Sequence, residues 1–346
     1  MKALVIHAPL DLRLEDVEFD EQLPKADEVI IKTAVGGVCG SDLHYYNHGG
    51  FGTVKLKQPM ILGHEVSGYV ETTGSDVTNF KAGDLVAISP SRPCYQCQYC
   101  LKGQQNHCTD MKFYGSAMPW PHIQGVFKEQ LNVKATQCVK ANDLTPTEAA
   151  TAEPLAVALH ATKRAGDLTG KRVLITGCGP IGVLCAITAR LSGAAEIVAT
   201  DIADNALSMG LHCGVDQGIN VMKNQDALTA YAKGKGYFEV MFECSGNEQA
   251  LRDGISALQP RSVLMQVGLG GDMSLPLMQL TAKEIDLRGS FRFHSEFETA
   301  VMLMANKRLD VKKLVTHTVE LSRFEEAFKI ANDRSVAMKT QIQFSA

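Results

Sequence analysis

The sequence predicts an α/β protein in which a doubly wound parallel sheet is joined to a second, mostly β domain. Three observations predict it. Lys171 to Asp201, KRVLITGCGPIGVLCAITARLSGAAEIVATD, reads as strand, glycine turn, helix and strand. Downstream, apolar strand-like runs keep alternating with helix-like runs, as a parallel sheet with helices on both faces requires. Upstream, from Met1 to about Val139, short alternating or β-branched runs are separated by Gly, Asp and Pro, the pattern of a β domain.

The Lys171–Asp201 stretch carries the sharpest signal. Val173 to Thr176 is an apolar run of the kind found in buried parallel strands. It leads into Gly177, Gly179, Pro180, Ile181 and Gly182, a GxGxxG fingerprint. In such a turn the first glycine allows the tight bend, the second lets backbone approach a pyrophosphate, and the third lets helix pack on strand. Pro180 suits a first helical position, and Gly193 is placed to end the helix. Asp201 closes the second strand 19 residues after Gly182, where a carboxylate for the adenosine ribose belongs. Strand, helix and acid in register turn a weak motif into a Rossmann dinucleotide-binding prediction.

Composition narrows the classes. A chain of 346 residues exceeds most single domains and suggests two. With 45% hydrophobic and 21% charged residues it is an ordinary globular sequence, and a net charge of −4 offers no basic field for nucleic acid. The apolar tract around the fingerprint is interrupted by Gly177, Gly179, Pro180 and Arg190, so no membrane span is expected. The N-terminus lacks the pattern of a signal peptide. A cytoplasmic location is expected, and the ten cysteines are then more suited to metal than to disulfides.

Taken in order, the β region holds two pieces with metal-binding potential. GGVCGSDLHYY contains Cys39, Ser41, Asp42 and His44, and ILGHEVSGYV sets His64 beside Glu65. Spacing alone leaves open whether Cys39 and His64 are ligands or packing residues. The segment SPSRPCYQCQYCLKGQQNHC is sharper: Cys94, Cys97, Cys100 and Cys108 fall as CxxCxxCx7C, suited to a closed, structural zinc site in a lobe spanning residues 89–110. An iron–sulfur cluster is the competing reading, disfavoured because the other six cysteines are scattered. LTPTEAATAEPLAVALHATKRAG then reads as helix entered at Thr145 and Pro146, with Glu153 inside it. Beyond Asp201, NQDALTAYAKG and NEQALRDGISALQP read as helices and FEVMFECSG, SVLMQVGLG and EIDLRGSF as strands. Gly246 and Gly268 fall at carboxyl ends of strands, where such sheets bind ligands. Two capping boxes, Ser295 with Glu298 and Ser322 with Glu325, predict helix starts. KTQIQF reads as a last strand returning to the β domain.

The run Gly63, His64, Glu65, Gly68, Gly74 and Val77 resembles the GHExxGx5GxxV signature of zinc-dependent medium-chain alcohol dehydrogenases. The cysteine lobe and the glycine fingerprint follow in the family's order, so the likeness covers nearly the whole chain. Strings such as CGSDLHYY, AEPLAVALHA, QVGLGG and GSFRF resemble the polyol dehydrogenase branch. The resemblance implies a GroES-like catalytic domain, residues 1–146 plus 292–346, and a Rossmann domain, residues 147–291. It implies two zinc ions. The catalytic one is held by Cys39, His64 and a carboxylate, Glu65 or Glu153, with Asp42 orienting His64, and the structural one by the four cysteines.

The same resemblance implies a mechanism. Catalytic zinc acts as a Lewis acid on the substrate hydroxyl, hydride leaves the carbinol carbon, and Ser41 passes the alcohol proton through the cofactor ribose to His44. Asp201 favours NAD over NADP, because a carboxylate accepts from a free 2′-hydroxyl and repels a 2′-phosphate. The implied substrate is a sugar acid, L-idonate, interconverted with 5-keto-D-gluconate. Arg292 in GSFRF would grip its carboxylate, while Tyr45, Tyr114 and Trp120 either line the pocket or pack within the fold, as aromatics in such loops equally do. The alternative substrate is an alditol such as sorbitol or xylitol. From another class, a non-catalytic dinucleotide-binding protein competes. A homodimer or homotetramer is implied, with no nucleic-acid or membrane partner.

Overall fold

The structure is a computed structural model that describes residues 1–19, 23–224 and 226–345. The chain forms two compact units: Met1–Glu153 with His294–Asp333 and Lys339–Ala346, and Pro154–Phe293 with Arg334–Met338.

The first unit is built on a seven-stranded sheet. Its path runs Cys138–Lys140, Leu85–Ile88, Glu65–Thr73, Glu28–Gly37, Lys339–Gln343 and Val315–Glu320, with Gln130–Lys134 also pairing Glu28–Gly37. Valine and isoleucine dominate the two longest pairings, and their side chains fill a core of Val29, Ile31, Val66, Val70, Val86, Ile88, Leu131 and Val133. The C-terminal strand pairs antiparallel with Glu28–Gly37, placing Gln341 opposite Gly37, while Gly37 also stands opposite Glu65. This antiparallel arrangement has a consequence for chemistry: the end of one strand and the starts of its two neighbours meet at a single edge.

Pro146–Ala150 belongs to this unit, so the seam falls after Glu153 and not after Pro146. That helix is capped by a reciprocal pair, Thr145 N donating to Glu148 Oε2 at 2.9 Å and Glu148 N to Thr145 Oγ1 at 3.3 Å. It packs on the sheet, where Ser67 donates to Pro146 O at 2.7 Å.

The second unit carries a six-stranded, wholly parallel sheet in the order Gln217–Asn220, Glu196–Asp201, Arg172–Thr176, Phe238–Glu243, Leu258–Gln266, Asp286–Gly289. Numbered along the chain this is 3-2-1-4-5-6, the doubly wound order of a dinucleotide-binding sheet. Leu174, Val198, Phe238, Met241, Ile255 and Leu264 form its core.

Two expectations for local structure change. NQDALTAYAKG forms only a 3-10 turn, Ala227–Ala230, among the described residues, with Gln225 outside them. Ser322 does not cap a helix: it lies inside the 3-10 turn Leu321–Arg323, whose buried Leu321 sets the chain direction, and the following helix, Phe324–Asn332, starts after Arg323. Ser295 does precede the helix Glu296–Ala305, but its side chain makes no cap bond.

Candidate active site and metal centres

Cys39 ends the loop after the strand Glu28–Gly37 and caps the helix Gly40–His48. His64 and Glu65 start the neighbouring strand. One donor atom from each of Cys39, His64 and Glu65 lies within 4.8 Å of the others. His64, Glu65 and Asp42 are all buried.

Asp42 holds the two ligand-bearing segments by their backbones. Its Oδ2 accepts from Cys39 N at 3.0 Å and its Oδ1 from Gly63 N at 3.1 Å. The imidazole of His64 is not its hydrogen-bond partner, since Nδ1 stands 3.9 Å from Oδ1. Asp42 meets the His64 segment at the peptide of Gly63.

The electrostatics show what the cluster lacks. Burial by itself would lower the pKa of His64, yet the charges of Cys39 and Asp42 raise it well above the ordinary histidine value. Burial pushes Glu153, in the first turn of the helix Ala152–Ala165, up to about 7 against the pull of His64. Nδ1 of His64 is buried without a hydrogen-bond partner. Acidic side chains and a thiol gathered around a buried imidazole suit a metal cation. Sulfur, nitrogen and carboxylate oxygen together are the donor set of zinc with three protein ligands. The residues fit.

Sequence reasoning missed a fifth buried group here. Lys339, at the start of the last strand, donates to Glu65 Oε1 at 2.7 Å and Oε2 at 2.9 Å. Its only sequence signal is a lysine opening the strand-like KTQIQF, which no motif distinguishes.

The four cysteine sulfurs Cys94, Cys97, Cys100 and Cys108 also lie within 4.8 Å of one another. Backbone N–H groups turn toward them: Cys94 N donates to Cys108 Sγ at 3.2 Å, Cys97 N to Cys94 Sγ at 3.3 Å, and Asp110 N to Cys108 Sγ at 3.4 Å. Such bonds favour thiolate, the form that ligates metal. Four sulfurs leave no open position, so this lobe is suited to structure and not to catalysis.

In the second unit the fingerprint turn has the shape its glycines predict. Gly177 has φ +85°, and a methyl group on Gly182 would collide with Gly177 O, so helix and turn are in direct contact. Nothing lies within 4 Å of where a Cβ on Gly179 would be, which leaves that backbone open to a ligand. Asp201 ends its strand half-buried, with Oδ2 accepting from Cys178 N at 2.7 Å and Oδ1 from Ala203 N at 2.9 Å. The carboxylate is thereby fixed to the fingerprint turn. At the neighbouring strand ends the buried Glu243, which sequence reasoning passed over as the end of FEVMFE, accepts from Ser245 N at 2.8 Å, Gly246 N at 3.0 Å and Gln266 Nε2 at 2.7 Å. It knits together the loops that carry Gly246 and Gly268.

Residues 25–143 match the family model for the alcohol dehydrogenase GroES-like domain, and residues 180–306 match that for zinc-binding dehydrogenases. The chain belongs to the zinc-binding dehydrogenase family. This zinc-binding dehydrogenase is 44% identical over 320 residues to L-idonate 5-dehydrogenase (NAD(P)(+)) of Escherichia coli strain K12, covering 91% of each chain. It is 36% identical to sorbitol dehydrogenase of Bos taurus, covering 99% of this chain and 95% of the other. Its fold matches the crystal structure of L-idonate 5-dehydrogenase from E. coli K-12 with a TM-score of 0.92 at 40% identity, covering 99% and 97% of the two chains. It matches galactitol-1-phosphate dehydrogenase from E. coli with a TM-score of 0.88 at 29% identity, covering 99% and 100%.

Two aromatic candidates of this zinc-binding dehydrogenase, Tyr45 and Tyr114, pack in its first unit. Tyr45 is 2% exposed, lies in the core of the first unit, and its hydroxyl accepts from Ala117 N at 3.0 Å. Tyr114 packs against the sheet core and its hydroxyl lies 3.5 Å from Gln137 Oε1. These contacts fit the packing alternative for both; Trp120 is exposed. Arg292 sits at φ +54°, with its guanidinium 4.9 Å from the Phe291 ring centroid. A non-glycine residue held at positive φ is strained, and such strain concentrates at functional positions. Ser41 is half-buried and His44 exposed on the same helix, three residues apart and so on one face. Among the described residues, no helix is long and apolar enough to cross a membrane.

Proposed function

We propose that this zinc-binding dehydrogenase is an NAD-linked L-idonate 5-dehydrogenase, interconverting L-idonate and 5-keto-D-gluconate by hydride transfer at a secondary carbinol. The observation that carries the reading is the cluster of Cys39, His64 and Glu65, with one donor atom of each within 4.8 Å of the others. A zinc ion held there by Cys39, His64 and a carboxylate, Glu65 or Glu153, would supply a Lewis acid for the substrate hydroxyl. A second zinc in the four-cysteine lobe would be structural.

The chain's own groups do the rest. Asp42 fixes the two ligand segments. Ser41 takes up the alcohol proton, and exposed His44, on the same helix face, delivers it to solvent. Asp201, held by the fingerprint turn, accepts from the adenosine ribose and disfavours a 2′-phosphate. Arg292 anchors the carboxylate of the sugar acid through paired hydrogen bonds. The identity to L-idonate 5-dehydrogenase supports this substrate over an alditol, and likeness to sorbitol dehydrogenases keeps the alditol as the second reading. A cytoplasmic setting is part of the reading, since clustered cysteines of this kind suit metal in a reducing compartment. The edge strand Asp286–Gly289 supports a homodimer or homotetramer.

Parallel assays with L-idonate, gluconate and sorbitol, each with NAD, test the proposal. Preferred turnover of L-idonate is expected; preferred turnover of sorbitol would assign the alditol instead.

A further inference from the structure

Lys339 is 5% exposed, yet all three protons of its ammonium have an acceptor. It donates to Glu65 Oε1 at 2.7 Å, Glu65 Oε2 at 2.9 Å and Val38 O at 3.2 Å. Two chain neighbours of the proposed metal donors are thus tied to one cation: Val38 precedes Cys39, and Glu65 follows His64. The near-equal distances place Nζ astride the carboxylate, on the same two oxygens that would offer a metal its ligand atom. Gly37 makes room for this, because a methyl group there would collide with Glu65 Oε2.

We propose that Lys339 is a positioning residue that competes with the metal for Glu65. This rests on the reading that Cys39 and His64 hold a metal. A buried carboxylate requires a compensating positive charge. With Lys339 present, Glu65 is compensated before any metal arrives, and the ion must share the carboxylate with the ammonium. Without Lys339, only the metal-loaded state compensates Glu65, so the metal is held more tightly. The arrangement has a use in catalysis. Cys39, His64, Glu65 and Glu153 are four donors in one buried neighbourhood, and four equally strong ligands would close the site. Holding Glu65 back keeps one coordination position available to substrate.

Full-length, zinc-loaded wild type, K339M, K339R, E65Q and E65Q/K339M are compared by the rate of zinc release to a chromophoric chelator. The four-cysteine lobe serves as internal reference. K339M should slow release from one of the two sites by about tenfold or more, and K339R should return it toward wild type. In the E65Q background K339M should change nothing, because the carboxylate charge under competition is gone. Release from K339M at the wild-type rate or faster, or slowing that persists in E65Q/K339M, would overturn the proposal. Should K339M fail to fold, K339Q takes its place, with the same slowing expected alone and none expected in the E65Q background, and release at the wild-type rate overturns the proposal. A wild-type chain that retains only the four-cysteine zinc would instead sink the metal-centre reading itself.

Discussion

Gly37 and Glu65 are register partners on adjacent antiparallel strands, and the carboxylate of Glu65 occupies the space that a side chain on Gly37 would fill. A glycine two residues before Cys39 therefore shapes the candidate metal centre. Replacing it by alanine must push Glu65 away from Lys339 or bend the strand that leads to Cys39. G37A should lose about 1–3 kcal/mol of stability by overpacking and retain less zinc at this site than wild type. Thermal melting together with metal content checks it, and wild-type values for both would show that the site tolerates the collision.

Removing the hydroxyl of Ser41 separates proton transfer from binding. S41A should lower kcat by about 10²-fold or more while the KM for NAD stays near wild type. Steady-state kinetics in both substrates reads this out. Unchanged turnover would take Ser41 off the proton path.

Asp201 makes cofactor choice testable. Its carboxylate is fixed by the backbone N–H groups of Cys178 and Ala203, so it cannot swing away from a 2′-phosphate. D201S should raise the KM for NAD and shift the ratio of kcat/KM values toward NADP by about tenfold or more, the equivalent of about 1.4 kcal/mol. An unmoved ratio would place cofactor discrimination elsewhere.

Asp84 predicts part of the acid limit of the fold. Asn142 Nδ2 donates to its Oδ1 at 2.9 Å and Lys140 Nζ lies 3.0 Å from its Oδ2, which together with the Lys81 N–H bring its pKa down to about 2 from 3.8. A folded pKa below the unfolded one contributes stability above about pH 4 that is lost as pH falls toward 2. With Lys140 half-exposed to screening, the contribution is about 1–2 kcal/mol. D84N should melt earlier than wild type at pH 6, and the difference should close by pH 2. A difference that does not change with pH would mean that the carboxylate's charge is not what stabilises.

Much of this was legible in the sequence where chemistry is local. The fingerprint from Gly177 to Gly182 and the cysteines from Cys94 to Cys108 are short stretches whose spacing is itself the geometry. Cys39 and His64 were ambiguous because only the pairing of two strands, 28–37 and 65–73, brings them together, and spacing along the chain does not reveal it. Lys339 was invisible for the same reason at larger range, since 274 residues separate it from Glu65. Tyr45 and Tyr114 show the opposite limit. An aromatic near a ligand-bearing loop looks the same in sequence whether it faces a pocket or, as Tyr45 does, spends its hydroxyl on a backbone amide in the core.

Anomalous diffraction at the zinc edge from crystals of the zinc-loaded protein tests the central claim most directly. Two peaks per chain are expected, one among Cys94, Cys97, Cys100 and Cys108 and one within ligand distance of Cys39 Sγ and a ring nitrogen of His64. A chain fully loaded with zinc that shows no peak between Cys39 and His64 would contradict the account.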